Sequence, residues 1–174
     1  ALSESIGIGK GTVRLEDFDK ADLIVIVGQN PGTNHPRMLS ALKSAKKSGA
    51  SVLSINPLKE TGMRRFRHPQ SPIDMLGAGT QISDDHVNIK INGDMALFRA
   101  IGSIILDKGS HDPDFINLNT TGFLDYAKIA QKIDWDLIEH LTGQDRGRIN
   151  EISDYFCRSR RTIVCWAMGI TQHK

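Results

Sequence analysis

An apolar stretch near the start of the chain, interrupted by Asp22 alone, predicts a β-strand that is buried on both faces. Residues 21–28 include four consecutive β-branched residues and end at a glycine, as expected of a strand in a parallel sheet. A second short strand is predicted over 51–55. Between the two strands, residues 37–48 repeat apolar positions at helical spacing, with Pro36 at the opening position and Gly49 as the stop. This strand–helix–strand unit of about 35 residues predicts parallel strands joined by a right-handed crossover.

The remainder of the chain continues the alternation of strands and helices. Further strands are predicted over 87–91 and 162–166, and the second of these is apolar enough to be buried. Asp94 is expected to cap a helix over 95–106 that is apolar on nearly every side. Two loops are predicted: a leading loop over 1–20, with one helical turn at 15–20, and a long loop over 63–79. Two short helices are predicted within 115–141, with Asp134 capping the second, and a further helix includes 151–156. The pattern predicts an α/β fold, doubly wound, with a mainly parallel sheet and helices on both faces.

Composition narrows the class of protein without identifying it. The chain has 174 residues, with 22 lysines and arginines against 20 acidic residues, and a formal net charge of +2. So small a charge, with no long basic stripe, argues against nucleic-acid binding, and 39% hydrophobic residues are enough for a folded core. No apolar run reaches the roughly 18 residues of a membrane span. The two cysteines, Cys157 and Cys165, form neither a disulfide framework nor a metal cluster, which predicts a reducing, cytoplasmic location.

Candidate chemistry lies in the loops that follow the predicted strands, because ligands of open parallel sheets bind beyond the carboxyl ends of the strands. These loops are 28–36, 56–59, 90–93 and 167–172, and together they are rich in Gly, Asn, Thr and Gln. Glycine lets a backbone approach a ligand closely, and amide side chains both donate and accept hydrogen bonds. Neither the dinucleotide fingerprint nor a P-loop is present. From these residues alone, a nucleotide or phosphate site and plain turn chemistry between strands and helices stay open as alternatives.

The sequence offers no candidate for catalysis. Its six histidines include no pair at the helical i, i+4 spacing of a metal site, and no serine or cysteine follows the nucleophile-elbow pattern. His35, in the first loop, either binds a phosphate or metal or only orders the loop. Cys165 lies within a predicted strand and is expected to be an inert core residue, and Cys157 is expected to be half-buried. We therefore predict no catalytic and no metal-binding residue in this chain.

Four segments of the chain, taken in order, carry a resemblance to a known family. Residues 28–36 resemble the loop that follows a strand in molybdopterin-dependent oxidoreductases, in particular the formate dehydrogenase-like alpha subunits. Residues 47–57 are similar to the family's strand that ends in Asp-Pro-Arg, residues 90–97 to its helix start, and residues 166–172 to its Gly-Met-Gly-Val-Thr-Gln segment. The resemblance covers essentially the whole chain. It implies a Rossmann-like fold and a single cofactor-binding domain over 1–174.

The resemblance implies that these loops hold one molybdopterin guanine dinucleotide (MGD) of a pair. The implied cofactor-binding residues are, in the first loop, Gly28, Asn30, Thr33, Asn34 and His35; around the guanine, Asn56, Pro57, Gly93 and Asp94; and on the pterin side, Met168, Gly169 and Gln172. Asn30, Thr33 and Asn34 are the implied contacts of the phosphates and sugar. Asn56 departs from the family, which has an aspartate there. An amide thus replaces the carboxylate that would pair with the N–H groups of guanine.

The resemblance also implies features of a longer parent protein. The metal-ligating cysteine or selenocysteine would precede Ala1, the cysteines of a 4Fe-4S cluster would lie further upstream, and the domain for the second MGD would lie downstream. The start at Ala1 and the ending at Lys174, soon after an apolar run, are expected of a piece cut from such a chain.

The parent is expected to carry out two-electron redox chemistry at molybdenum or tungsten held by a pair of MGD cofactors. Its remaining domains and an electron-transfer subunit are the expected partners, and this fragment alone is expected to be inactive. The alternative function is a stand-alone nucleotide- or phosphate-binding α/β module without a redox role. A purely structural α/β domain is the third possibility.

Overall fold

Four parallel strands form the sheet of this protein, whose computed structural model describes residues 7–67 and 79–171. The strands are β1 (Leu23–Val27), β2 (Ser51–Ile55), β3 (Asp85–Val87) and β4 (Thr162–Trp166). Their order is β3-β2-β1-β4, and β1 pairs in parallel with β2 on one side and β4 on the other. The strand order therefore reverses between β1 and β4. Such a reversal is the point at which open α/β sheets bind ligands.

Helices occupy most of the remaining chain. They are a 3-10 helix (Leu15–Lys20), α1 (Pro31–Asn34), α2 (Pro36–Lys47), α3 (Thr61–Arg64), α4 (Asp94–Asp107), α5 (Pro113–Asn119), α6 (Phe123–Ala130), α7 (Trp135–Thr142), α8 (Arg146–Arg158) and α9 (Met168–Thr171). Together with the parallel sheet they confirm the predicted α/β fold. Within the residues that the structure describes, no helix combines the length and apolar character needed to cross a bilayer.

The chain divides into two compact units. The first comprises Ala1–Asn88 and Arg160–Lys174 and contains all four strands with α1, α2, α3 and α9. The second, Ile89–Ser159, contains α4 to α8. The single cofactor-binding domain expected over 1–174 stays a prediction.

The core of the first unit forms between α2 and one face of the sheet. In α2, apolar residues recur every three residues, so that they share the face that is buried. The fully or nearly fully buried members of this core include Phe18, Ile24, Ile26, Leu39, Leu42, Ala45, Val52 and Ile163. All five residues of β1 are buried, which confirms that this strand is covered on both faces. Pro36 occupies the first turn of α2 and Lys46 and Lys47 its last turn, where their charges suit the helix dipole.

One carboxylate ties the beginnings of β1 and β4 together. Asp22 accepts hydrogen bonds from the backbone N–H groups of Arg160 (3.1 Å) and Arg161 (3.0 Å) and from the Arg161 guanidinium (2.9 Å). The guanidinium, assisted by these N–H groups, holds the pKa of Asp22 below its ordinary value. Asp22 thus fixes where β4 starts beside β1.

The second unit is built around α4. Helices α6, α7 and α8 all pack against it, and its buried residues are Ala96, Leu97, Ala100, Ile101, Ser103 and Ile104. Arg99 donates to the backbone oxygens of Ile129 (3.1 Å) and Lys132 (2.7 Å), at the end of α6. Lys108 pairs with Asp154 of α8 at 2.6 Å. The predicted caps of this region include Asp134, whose side chain accepts from the backbone N–H of Leu137 as expected.

Two predictions near the start of the second unit were wrong in their bounds. The third strand ends at Val87 and does not extend to 91, because the backbone N–H of Lys90 bonds to the carbonyl of Thr142 (3.0 Å) at the end of α7. Asp94 is the first residue of α4 and not its cap, since Gly93 is already in the right-handed helical region and caps the helix.

Three further predictions need correction. The segment 115–141 holds three helices where two were predicted, because breaks follow both Asn119 and Ala130. Strand β4 is not buried throughout: Thr162, Val164 and Trp166 are exposed, since β4 lies at an edge of the sheet. By contrast, the predicted turn at 15–20 is confirmed as a 3-10 helix with Phe18 buried, while residues 1–6 of the predicted leading loop lie outside the described residues. The long loop over 63–79 begins only after α3, and its residues 68–78 lie outside the described residues.

Candidate functional site

The loops after β1 and β4 contact each other at the point where the strand order reverses. Gly28, which ends β1, adopts a left-handed conformation with φ of +58°, which favours glycine. A Cβ atom placed on Gly169 would lie 2.9 Å from the carbonyl oxygen of Gly28, a steric overlap with backbone. Position 169 can therefore carry no side chain without moving one of the loops. The two predicted site residues Gly28 and Gly169 are thus brought together.

The Asn30 side chain holds the first loop in shape. Its Oδ1 accepts from the backbone N–H of Thr33 at 3.2 Å and so caps α1. Its Nδ2 donates to the Glu60 carboxylate at 2.7 Å. Next to this contact, the backbones of Gly32 and Gly62 meet so closely that a Cβ on Gly62 would lie 2.8 Å from the Gly32 Cα. The first loop is therefore fixed against α3 by residues that the sequence analysis did not select, Glu60 and Gly62.

Asn56 connects the loop after β2 to the loop after β1. Its Nδ2 donates to the backbone oxygen of Gln29 at 3.5 Å, and its Oδ1 accepts from the backbone N–H of Leu58 at 3.4 Å. Pro57 between them is half-buried. The structure therefore joins the ends of β1, β2 and β4 into one continuous polar edge, as the predicted ligand site requires.

Gln29 is a further residue of this edge that sequence reasoning missed. It is only 8% exposed, and its Nε2 lies 3.1 Å from Nδ1 of His35. Its Oε1 is buried and has no hydrogen-bond partner among the residues that the structure describes. Gln29 stands between two predicted site residues, Gly28 and Asn30, in the loop over 28–36, and this position could have suggested it. The sequence of the loop did not indicate that its side chain is buried. The contact joins His35 to its own loop, and the ligand roles of His35 stay predictions.

The remaining predicted residues differ in their surroundings. Thr33, Asn34 and Met168 are exposed and so can be reached by a ligand. Gly93 belongs to the second unit, where a Cβ on it would lie 2.8 Å from the carbonyl oxygen of Leu141. Packing alone therefore explains why position 93 is a glycine. Asp94 begins α4 in the same unit, and Gln172 lies outside the described residues.

The groups at this edge are suited to binding a ligand. Burial raises the pKa of the Cys165 thiol in β4 to about 11, so that it stays uncharged and unreactive at neutral pH. Among the described residues, no group of three His, Cys, Asp or Glu side chains could hold a metal ion. Besides the Glu60 carboxylate and the His35 ring, the edge presents backbone and neutral amide and hydroxyl groups, which suit phosphate oxygens and the edges of heterocycles.

The reversed strand order and the three joined loops define a Rossmann-like α/β protein with a candidate ligand site at the carboxyl edge of its sheet. A family model described as molybdopterin oxidoreductase matches residues 7–174. Because that match spans nearly the whole sequence, the chain belongs to the molybdopterin oxidoreductase family, and the resemblance noted in the sequence is confirmed.

The individual relatives that the chain matches are much longer than the chain itself. Protein YdeP of Escherichia coli K12 is 41% identical over 184 residues, covering 99% of this chain and 24% of YdeP. Formate dehydrogenase H of the same strain is 26% identical over 98% of this chain and 22% of that enzyme. The solved structure of acetylene hydratase from Pelobacter acetylenicus shares the fold with a TM-score of 0.69 at 19% identity, over 86% of this chain and 18% of that one. The chain thus spans about a quarter of the length of the curated relatives.

Proposed function

We propose that this chain holds the guanine dinucleotide part of a molybdopterin cofactor along the carboxyl edge of its sheet. The observation that carries the proposal is the contact of Gly28 with Gly169 at the strand reversal, in a chain that belongs to a molybdopterin family. A cofactor with a diphosphate and two heterocycles needs backbone and neutral polar groups from several strand ends. The residues of this edge fit that requirement, because glycine backbones and amide side chains lie side by side there.

The exposure of each side chain decides which contact with the cofactor we propose for it. Thr33 and Asn34 are exposed and would bind the phosphates and sugar directly, together with the backbone of the first loop. Asn30 is already engaged with Thr33 and Glu60, so its main effect would be to fix the shape of that loop. Asn56 and Pro57 would border the guanine, and the roles predicted for Gly93 and Asp94, which belong to the second unit, stay predictions. Met168, Gly169 and Gln172 would line the pterin side.

The cofactor when bound would supply the redox chemistry, and the chain would position it. We infer that the parent is a cytoplasmic enzyme that performs two-electron oxidation or reduction at molybdenum or tungsten bound by two MGD molecules. The metal ligand, a 4Fe-4S cluster, the second MGD-binding domain and the contact with an electron-transfer subunit would come from the rest of the parent. The isolated chain would then show no formate-dependent dye reduction, and turnover by the purified chain would contradict this assignment.

The binding proposal is tested by calorimetric titration of the chain with GDP and with NAD, an adenine dinucleotide. We expect GDP to bind more tightly, and we expect Asn34→Ala to weaken GDP binding by about three- to tenfold, as the loss of one neutral hydrogen bond does. Asn119→Ala, on α5 in the second unit, is the matched control and should leave the affinity unchanged. Tighter binding of NAD would favour a stand-alone nucleotide module instead. Equal binding by the wild type and Asn34→Ala would argue against the proposed contacts.

A further inference from the structure

Helix α5 of the second unit takes no part in a hydrophobic core. None of its seven residues, all of which the structure describes, is buried, and among the described helices α4 packs against α6, α7 and α8 but not comparably against α5. The chain enters and leaves this region at Gly109 and Gly122, which are left-handed with φ of +60° and +77°. A Cβ on either glycine would meet no atom of the described residues within 4 Å, so the turns explain the glycines. We refer to residues 109–122 as the α5 segment.

Local contacts hold the α5 segment in a defined shape. The Oδ1 of Asp112 accepts from the backbone N–H of Phe115 at 2.9 Å and so caps the start of the helix. At the other end, the Nδ2 of Asn119 donates to the carbonyl oxygen of Phe115 at 3.1 Å. The ring centroids of His111 and Phe123 lie 5.5 Å apart, which closes the base of the segment. A surface that is formed before its partner arrives loses less entropy on binding.

One face of α5 presents apolar side chains next to a carboxylate. Phe115 is 58% exposed and Leu118 is 83% exposed, and their i, i+3 spacing places them side by side on the helix. Asp114 is exposed as well and lies one turn before Leu118. Between Lys108 and Lys128 the sequence contains three aspartates and neither lysine nor arginine. No basic side chain of this stretch therefore offsets the negative charge beside the apolar face.

We propose that this face of α5 docks onto a separate protein, which presents an apolar helix face bordered by lysines or arginines. Apolar side chains at i, i+3 are the anchors with which an amphipathic helix binds such a surface, and the carboxylates beside them select a basic border. They also favour a separate protein over a permanent cover, because charged residues are depleted from the centre of obligate interfaces. The inference is independent of the proposed cofactor site, whose joined loops belong to the first unit.

The test measures binding of a labelled model peptide of about 16 residues, which forms an amphipathic helix with a leucine face bordered by lysines. Fluorescence anisotropy gives its affinity for the 174-residue chain. We expect Leu118→Ser to weaken binding by about tenfold. Leu15→Ser, at an exposed leucine of the first unit, is the matched control and should leave the affinity unchanged. The same peptide with glutamates in place of its lysines should not bind.

Asp114→Asn tests the contribution of charge to this docking. At low ionic strength we expect it to weaken peptide binding by about two- to threefold, and the difference should disappear in high salt, which screens the attraction. Asp19→Asn, at an exposed aspartate of the first unit, should have no effect. Because Asp114 and Leu118 are both exposed, their variants should keep the circular dichroism spectrum of the wild type.

Three results would overturn the inference. Equal peptide affinity in the wild type, Leu118→Ser and Asp114→Asn would mean that the peptide does not bind at α5. Dimerisation of the chain alone in analytical ultracentrifugation, lost in Leu118→Ser, would show that a second copy covers this face. If a polypeptide extended by the flanking sequence of its reading frame no longer binds the peptide, the rest of that polypeptide covers α5. None of these results affects the GDP titration, which tests the proposed function separately.

Discussion

At the scale of single residues, a close backbone contact in the candidate site is that between Gly28 and Gly169. We expect Gly169→Ala to lower the free energy of unfolding by about 1–3 kcal/mol, because the new methyl group would lie 2.9 Å from the carbonyl oxygen of Gly28. Backbone atoms cannot rotate out of the way, so the loops after β1 and β4 must separate. Urea denaturation followed by circular dichroism measures the change, and GDP affinity should fall in the same variant.

Gly11→Ala is the matched control for this prediction. A Cβ at position 11 meets no atom within 4 Å, so the substitution should change the free energy of unfolding by less than about 0.5 kcal/mol. If the two variants were equally stable, the two loops would not be in contact as described.

The contacts of single side chains in the candidate site were the features that the sequence predicted least completely. The glycine- and amide-rich loops pointed to the carboxyl edge of the sheet, because residue type and position after a strand are visible in the sequence. The engagement of Asn30 by Glu60 was not visible, since the two residues lie 30 positions apart and meet only through the fold. Likewise, the burial of Gln29 follows from the folded surroundings of the first loop and not from its neighbours in the chain.

At the scale of elements, the alignment of β4 with β1 depends on one ionised carboxylate. Asp22 has a pKa held below its ordinary value of 3.8 by Arg161 and by the N–H groups that it accepts from. A depressed pKa stabilises the fold above the pKa of the unfolded chain, and that stabilisation disappears as the pH falls through the folded-state pKa. We expect Asp22→Asn to be less stable than the wild type at all pH values above about 5. The difference should shrink below pH 3.8.

Thermal melts of both proteins between neutral and acidic pH measure this difference. Asp19→Asn is a suitable control, because Asp19 is an exposed carboxylate in the 3-10 helix. A stability gap between the wild type and Asp22→Asn that stayed constant down to acidic pH would show that the charge of Asp22 is not responsible.

Elements with a strong periodic pattern were predicted best. The bounds of β2 and β4 agree with the structure because each strand is a short apolar run between polar or glycine-containing segments. The third strand was misplaced because the apolar residues after Val87 serve the second unit, where Lys90 bonds to the end of α7. The exposure of alternate residues in β4 could not be read from its apolar sequence, since it follows from the position of that strand at the sheet edge.

At the scale of the whole molecule, two observations suit an edge strand β4 that is covered by further polypeptide. They are the exposed apolar residues of β4 and the greater length of the relatives. Val164 is 36% exposed and Trp166 is 37% exposed on an edge strand, and apolar edge strands are commonly covered in native proteins. The chain spans 24% of YdeP. If the chain is one part of a longer polypeptide, the rest of that polypeptide is available to cover this strand.

Val164→Lys tests whether such covering occurs. In the 174-residue chain the lysine can reach solvent, and we expect the free energy of unfolding to change by less than about 0.5 kcal/mol. In a polypeptide extended by the flanking sequence of its reading frame, the same lysine would be buried without a partner, and we expect a loss of about 2 kcal/mol or more. Val164→Thr should give a smaller loss in the same direction, because threonine keeps the shape without the charge. Denaturant titration of both lengths provides the comparison, and an equal effect of Val164→Lys in the two would mean that β4 stays exposed in the longer protein.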